Sequence, residues 1–220
     1  MRTVHCVDAI EWLNKADITP DSSLLGSLPD ISEFPTLTLA EWKTWFINTA
    51  ELILSRCPDD GVTIFYQSDI KYEGLWVDKA YLCQKAAEKI GHELLWHKVL
   101  CRAPAGTITF GRPAYSHLLC FSKKFRMDLS KSLPDVLPDL GDKTWERGMG
   151  LNACVLIGKF LSEQTKTKTL INPFCGQGSM LATANAFGLN AIGIEKSPKR
   201  AEKARHITLS ADHKSWENIE

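Results

Sequence analysis

What this chain lacks narrows it first. No apolar run approaches the roughly 18 to 20 residues that a membrane-spanning helix needs. Its opening, MRTVHCVDAIEWL, carries none of the n-region, h-region and small-residue cleavage site of a secretory signal. Seven cysteines are scattered without one C-x-x-C pair, an odd number that offers neither a disulfide frame nor a structural zinc site. The histidines show no metal-ligand spacing, so no metal is expected. Reduced thiols point to a cytoplasmic protein with no membrane partner. A basic excess is also missing, because 26 Lys and Arg balance 26 Asp and Glu. Wrapping a nucleic acid needs such an excess, so any nucleic-acid contact is expected to be local. Internal repeats and low-complexity tracts are absent.

What is present is an ordinary globular composition, 44% hydrophobic and 24% charged over 220 residues, enough for one domain spanning 1–220. Short apolar runs at 3–8, 22–26, 62–66, 93–101, 116–121, 169–171 and 191–194 read as strands. Helical apolar periods fall at 9–16, 38–56, 76–90, 144–161, 180–187 and 198–206. Residues 122–143, basic and proline-rich, read as a linker or short substrate-facing segment, and 211–220 as a frayed tail. Alternating strands and helices predict an α/β fold: a three-layer, doubly wound, Rossmann-like sheet of about seven strands, mostly parallel with an antiparallel edge.

Ligands of such sheets bind beyond the carboxyl ends of the strands. That rule gathers Asp8, Ser27 to Asp30, Gln67 to Asp69, Gly176 to Gly178 and Glu195. Residues 169–197 form a compact unit of strand, glycine turn, helix and second strand ending on Glu195. A backbone loop of this kind lets a ligand approach closely, and the acid accepts two hydrogen bonds from a ribose diol. A dinucleotide site fits the same outline, although the third glycine of its fingerprint falls at Leu181. Asp8 also reads as a helix cap. Gln67, Ser68 and Asp69 end the clearest strand, where a substrate loop or a plain polar strand exit would stand. Arg102, Arg112, Tyr115 and His117 lie on or beside a glycine-rich loop, GTITFGRPAYSH, which reads either as a hairpin loop with solvated arginines or as a surface that stacks on a base and grips a phosphate.

NPFCGQGSM followed by GLNAIGIE resembles the cofactor motif of S-adenosyl-L-methionine-dependent methyltransferases, nearest to those acting on adenine N6 or cytosine N4. The resemblance implies that Asn172, Pro173, Phe174, Cys175, Gly176, Gly178 and Ser179 wrap the cofactor's methionine and ribose. Glu195 would hold the ribose hydroxyls and Asp8 would meet the adenine. The family's catalytic turn is matched by Ser27-Leu28-Pro29-Asp30, which stands before the cofactor loop, so the motif order resembles the circularly permuted class. Asp30 occupies the place of the aromatic that stacks on the target base, and Phe34 is the candidate to replace it.

The resemblance implies a methyltransferase acting on a base amine of a nucleic acid. A protein or small-molecule acceptor, or a non-catalytic cofactor binder, are the alternatives. Its DNA-acting members carry a sizeable recognition region where this chain has only 122–143. RNA, which brings its own shape, is therefore expected before DNA. Phe34, Gln67, Ser68, Asp69, Arg112 and Tyr115 are the expected substrate contacts. A homodimer or partner subunit would be one source of further recognition surface. One warning lies in the sequence itself: Ser132-Leu133-Pro134-Asp135 repeats the string of the catalytic turn with no strand behind it.

Overall fold

Short β-branched runs alternating with amphipathic stretches produce a sheet that can bury both faces only under helices on each side. The computed structural model describes residues 1–218. Strand β1 (Arg2–His5) leads into helix α1 (Ala9–Lys15), followed by β2 (Ser22–Gly26), α2 (Leu39–Arg56) and β3 (Thr63–Gln67). A small hairpin of β4 (Ile70–Tyr72) and β5 (Leu75–Val77) precedes α3 (Lys79–Lys89). Next come β6 (Glu93–Cys101), β7 (Tyr115–Ser122), the short β8 (Val136–Leu137) and α4 (Leu151–Gln164). The chain continues through β9 (Thr169–Asn172), α5 (Ser179–Ala186), β10 (Asn190–Ile194) and α6 (Pro198–His206). It closes with β11 (Thr208–Leu209) and β12 (Trp216–Glu217).

The main sheet has eight strands in the order β1-β10-β9-β2-β3-β7-β6-β8. The first five are parallel, β7 runs antiparallel to β3 and β6, and β8 joins β6 in parallel. Successive strand residues point to opposite faces, and the core divides accordingly. Leu24, Phe65 and Leu119 pack with α1, α2 and α3, whereas Leu25, Ile64 and Leu118 pack with α4, α5 and the inner face of α6. This is the three-layer, doubly wound arrangement expected.

Strand β1 stops at His5 rather than at Asp8, which caps α1 instead, and four further boundaries differ from the sequence reading, each for a local reason. Residues 122–143 are no free linker. Val99 N donates to Asp135 O at 2.8 Å, the buried ammonium of Lys98 donates to Leu133 O at 2.8 Å and to Asp135 at 3.0 Å, and Leu137 and Leu140 are buried. This segment supplies the eighth strand. The helix expected at 76–90 begins only at Lys79, because Glu73 and Gly74 both have positive φ and turn a hairpin that claims Trp76 and Val77. The helix expected at 144–161 begins at Leu151, because Gly150 adopts an extended cap conformation and residues 144–148 pass through bends and one turn. Within the expected frayed tail, β12 pairs with β11, and the indole N–H of the buried Trp216 donates to Asp142 O at 3.2 Å. Residues 219–220 of that tail lie outside the described ones. Among the described residues no helix is long and apolar enough to cross a membrane.

Candidate active site

Between β9 and β2 the winding of the sheet reverses. From β9 the chain moves through α5 to β10; from β2 it moves the other way through α2 to β3. Neighbouring connections therefore part at this point and leave a crevice at the carboxyl ends. Leu24 pairs with Ile171, so Asn172 and the turn after Gly26 emerge side by side. A cavity of about 410 Å³ opens there, lined by residues that follow β1, β2, β3, β9 and β10.

On one side stands the glycine loop. Cys175 N donates to Ile194 O at 3.0 Å, folding the loop over the end of β10. Gly176 and Gly178 take φ values of +57° and +84°, a region that side-chain-bearing residues rarely enter. At Gly178 an added Cβ would also lie 2.7 Å from Ala204 Cα, so α6 can pack there only against glycine. Glu195 is buried beneath the loop. Its Oε2 accepts from Gly176 N at 3.2 Å, while Oε1 accepts from Ser197 N at 2.8 Å and from Arg200 Nη2 at 2.8 Å. Each carboxylate oxygen has two lone pairs, so Oε2 keeps acceptor capacity toward the cavity. Arg200 lies 5.6 Å from the ring of Trp145, which stands against Gly176. Asn172 Oδ1 is buried without a protein partner, a cost of about 1 to 3 kcal/mol that a ligand donor would relieve. Burial, reinforced by Glu195, pushes the Cys175 thiol up to about 12, so it packs the turn as a neutral group.

Asp8 serves first as the cap of α1, with Oδ1 accepting from Ile10 N at 2.9 Å and Glu11 N at 3.2 Å. Its Oδ2 faces the cavity rim near Lys196, at 3.5 Å.

On the other side lies the turn after β2. The indole N–H of Trp42 donates to Pro29 O at 3.3 Å and pins the turn to α2. Asp30 is buried and does not stack on anything: Lys79 Nζ donates to Oδ1 and Arg112 Nη2 to Oδ2. Burial holds the Lys79 ammonium below its ordinary value, and Asp30 pulls it partly back. Phe34 lines the cavity and rests on Trp45, ring centroids 4.4 Å apart. Gln67 extends from β3 into the same space, and its Nε2, like Asn172 Oδ1, has no partner. The Ser68 hydroxyl reaches the cavity wall but bonds Ser116 Oγ at 2.6 Å.

The cavity thus gathers Ser27, Leu28, Pro29 and Asp30, the Asn172–Gly176 loop, Ser179, Glu195, Asp8, Phe34, Gln67, Ser68 and Arg112. Gly178 shapes the loop from behind. Asp69 and Tyr115 do not line it. Asp69 turns inward and is consumed by three donors: Lys79 N at 2.9 Å, Trp76 Nε1 at 3.1 Å and His117 Nε2 at 3.0 Å. Tyr115 stands edge-on to the His117 ring at 5.2 Å. Asp69, Asp78 and His117 also bring ligand-type atoms within 4.8 Å of one another. There too the carboxylates serve neighbours, Asp78 capping α3 through Tyr81 N at 2.8 Å.

Sequence reasoning missed Lys79, Trp145 and Arg200. Arg200 had a local signal, since it follows Glu195 by five residues on a helix that starts at Pro198. Lys79 had none, because a lysine on an amphipathic helix reads as solvated.

Neither a family model nor a curated protein matches the sequence. Solved structures do match. TTHA0409 of Thermus thermophilus, described as a DNA modification methylase and solved with S-adenosyl-L-methionine, is 18% identical, with 93% of this chain and 91% of that chain covered at a TM-score of 0.69. The PvuII DNA methyltransferase, cytosine-N4-specific, is 15% identical, with 93% and 85% covered and a TM-score of 0.69. M1.HpyAVI in complex with S-adenosylmethionine is 15% identical, with 93% and 98% covered and a TM-score of 0.63. The chain shares its fold with these methyltransferase structures.

Proposed function

We propose that this chain transfers a methyl group from S-adenosyl-L-methionine to the exocyclic amine of a nucleic-acid base. One observation carries the reading. The glycine loop with Glu195 and the Ser27–Asp30 turn share one cavity at the point where the sheet reverses. Two of the matching structures contain this cofactor.

The residues present fit the cofactor. Asn172 Oδ1 is a buried acceptor in want of a donor, such as an amino group, and the positive-φ loop keeps side chains out of a ligand's path. Asn172 to Gly176 and Ser179 would hold its methionine end, Glu195 Oε2 its ribose hydroxyls, and Asp8 its adenine. When bound, the cofactor supplies an electrophilic methyl on a sulfonium. The chain's own task is positioning, since an aromatic amine is a poor nucleophile whose lone pair is delocalised. The Leu28 carbonyl and the Ser27 hydroxyl would accept the two amine N–H bonds and turn the lone pair toward the donor. Pro29, pinned by Trp42, fixes the carbonyl's direction. Asp30, held by Lys79 and Arg112, is a positioning residue, and Phe34 backed by Trp45 would provide the stacking face.

Placement of the acceptor turn before the cofactor loop is read as a permutation of the family's order. Between polymers, the neighbours, described as DNA methylases, favour DNA, and the RNA preference drawn from the missing recognition region finds no support among them. Labelled S-adenosylmethionine offered with total RNA, DNA and protein tests the reading. Label is expected in a nucleic-acid fraction. Label confined to protein or small molecules moves the acceptor class. Cofactor binding with no label anywhere leaves a binding protein.

A further inference from the structure

A polymer substrate must be held beside the cavity, yet residues 122–143 are too short for a recognition region, and 133–137 of them are tied to the sheet edge. Two other segments meet at the acceptor mouth. The β4–β5 hairpin and the 102–114 loop between β6 and β7 are stitched together by Lys71, whose N–H donates to Gly111 O at 3.1 Å and whose ammonium donates to Thr109 O. The same loop reaches the acceptor turn through Arg112 on Asp30. Hairpin, loop and turn are one connected unit.

Its outer surface carries large apolar side chains in the open. Ile108 and Phe110 at the loop tip are 81% and 87% exposed. Trp76 on the hairpin is half exposed yet anchored, its indole N–H on Asp69 and the Lys71 ammonium 5.5 Å from its ring centroid. A fixed aromatic face in water gains by stacking on an unpaired base, because it has little freedom left to lose. The same two segments carry cations, Lys71 on the hairpin and Arg102 and Arg112 on the loop. Arg102, at the base of the loop, is exposed. Lys143 is exposed and its ammonium donates to Glu146 O at 2.8 Å; partial desolvation first, and then the charges of Arg102 and Arg112, hold that ammonium below the ordinary value. Lys79 and Arg112 against Asp30 leave one further net positive charge at the mouth.

We propose that the β4–β5 hairpin and the 102–114 loop together form the nucleic-acid grip of this protein. The grip takes a single-stranded or looped stretch flanking the acceptor base. Trp76 and Phe110 stack on its bases, and Arg102 and Lys143 meet its phosphates. Aromatic faces reach only unpaired bases, which sets the substrate as locally open rather than an intact duplex. Few cations are engaged, in keeping with a chain of zero net charge. The inference rests on the methyl-transfer reading of the cavity.

The test uses the full chain with S-adenosylhomocysteine and fluorescent oligonucleotides, single-stranded RNA, single-stranded DNA and duplex, followed by anisotropy over a range of salt. Phe110→Ala is expected to weaken single-strand binding about tenfold. Arg102→Ala is expected to lower the salt slope by about one. Both side chains are exposed, so cofactor affinity should stay at the wild-type value and report an intact fold. If the wild type binds a strand and both variants bind it equally well, the grip is overturned while the methyltransferase reading stands. If the wild type binds cofactor but no oligonucleotide, both fall. If the duplex binds better than either single strand, the stacking grip is overturned. If Phe110→Ala instead abolishes a complex with a protein and leaves oligonucleotide binding untouched, the loop is a protein dock and the inference fails.

Discussion

Ser-Leu-Pro-Asp occurs twice in this chain, and its two copies have different fates. Residues 27–30 leave a fully buried parallel strand at the reversal of the sheet, and Asp30 is enclosed by Lys79 and Arg112. Residues 132–135 lie at the outer edge, and Asp135, 84% exposed in its side chain, meets Lys98 from the solvent side before the two-residue β8. The first copy is held by long-range partners that no neighbouring residue announces. The second borrows its conformation from the free edge of β6. Spelling is identical; what stands behind the string decides whether it lines the cavity or lies along an edge.

Removing each carboxylate should separate the copies most. Asp30→Ala leaves the buried Lys79 ammonium without its counter-charge, and urea unfolding should show a loss of about 3 to 5 kcal/mol. Asp135→Ala removes a partner that is largely in solvent, and the buried Lys98 keeps the Leu133 carbonyl, so a smaller loss of about 1 to 2 kcal/mol is expected. Next in size is chemistry. Ser27→Ala should lower methyl transfer about 100-fold with cofactor affinity unchanged, the scale of one lost polar contact in a preorganised site. Ser132→Ala should leave turnover as it is.

A smaller effect concerns Gln67, whose Nε2 stands unpaired beside the first copy. Gln67→Met should stabilise the empty protein by about 1 kcal/mol, while raising the KM for the acceptor. The smallest is a pH slope. Burial pushes the Asp69 carboxyl up, but the His117 hydrogen bond and charge, with the N–H groups of Lys79 and Trp76, outweigh it and hold it below its ordinary value. A depressed carboxyl contributes stability above its unfolded pKa, near about 4, and loses it as pH falls through the folded value. Asp69 supports the backbone of Lys79, and so only the first copy. Thermal midpoints should therefore fall below about pH 4 in the wild type, and the fall should be flatter in Asp69→Asn.

The same contrast explains what was legible in the sequence. Strands β2, β3, β7, β9 and β10 were readable because a sheet covered on both faces requires near-continuous apolar runs. The glycine loop and Glu195 were readable because their geometry is local: positive φ demands glycine, and the acid follows its own strand. The β4–β5 hairpin was hidden, since Glu73 stands where a two-residue turn usually announces itself with Asn or Asp, and Trp76 and Val77 also suit a helix period. Lys79 was hidden because its burial depends on Asp30, 49 residues away. Strand β8 was hidden because two residues beside prolines carry no period at all. Trp145 sat in a run with apolar periodicity, but Gly148 and Gly150 turn that run into a wrap around the cavity.

The central claim is that the first copy faces a methyl donor and accepts a base amine. Nucleoside mass spectrometry tests it most directly, on RNA and DNA incubated with the protein and S-adenosylmethionine carrying a deuterated methyl. The account predicts a labelled N-methyl adenine or cytosine nucleoside, strongly reduced with Ser27→Ala and unchanged with Ser132→Ala. A label on carbon or oxygen, equal labelling by Ser27→Ala, or no labelled nucleoside from a protein that binds the cofactor, would contradict it.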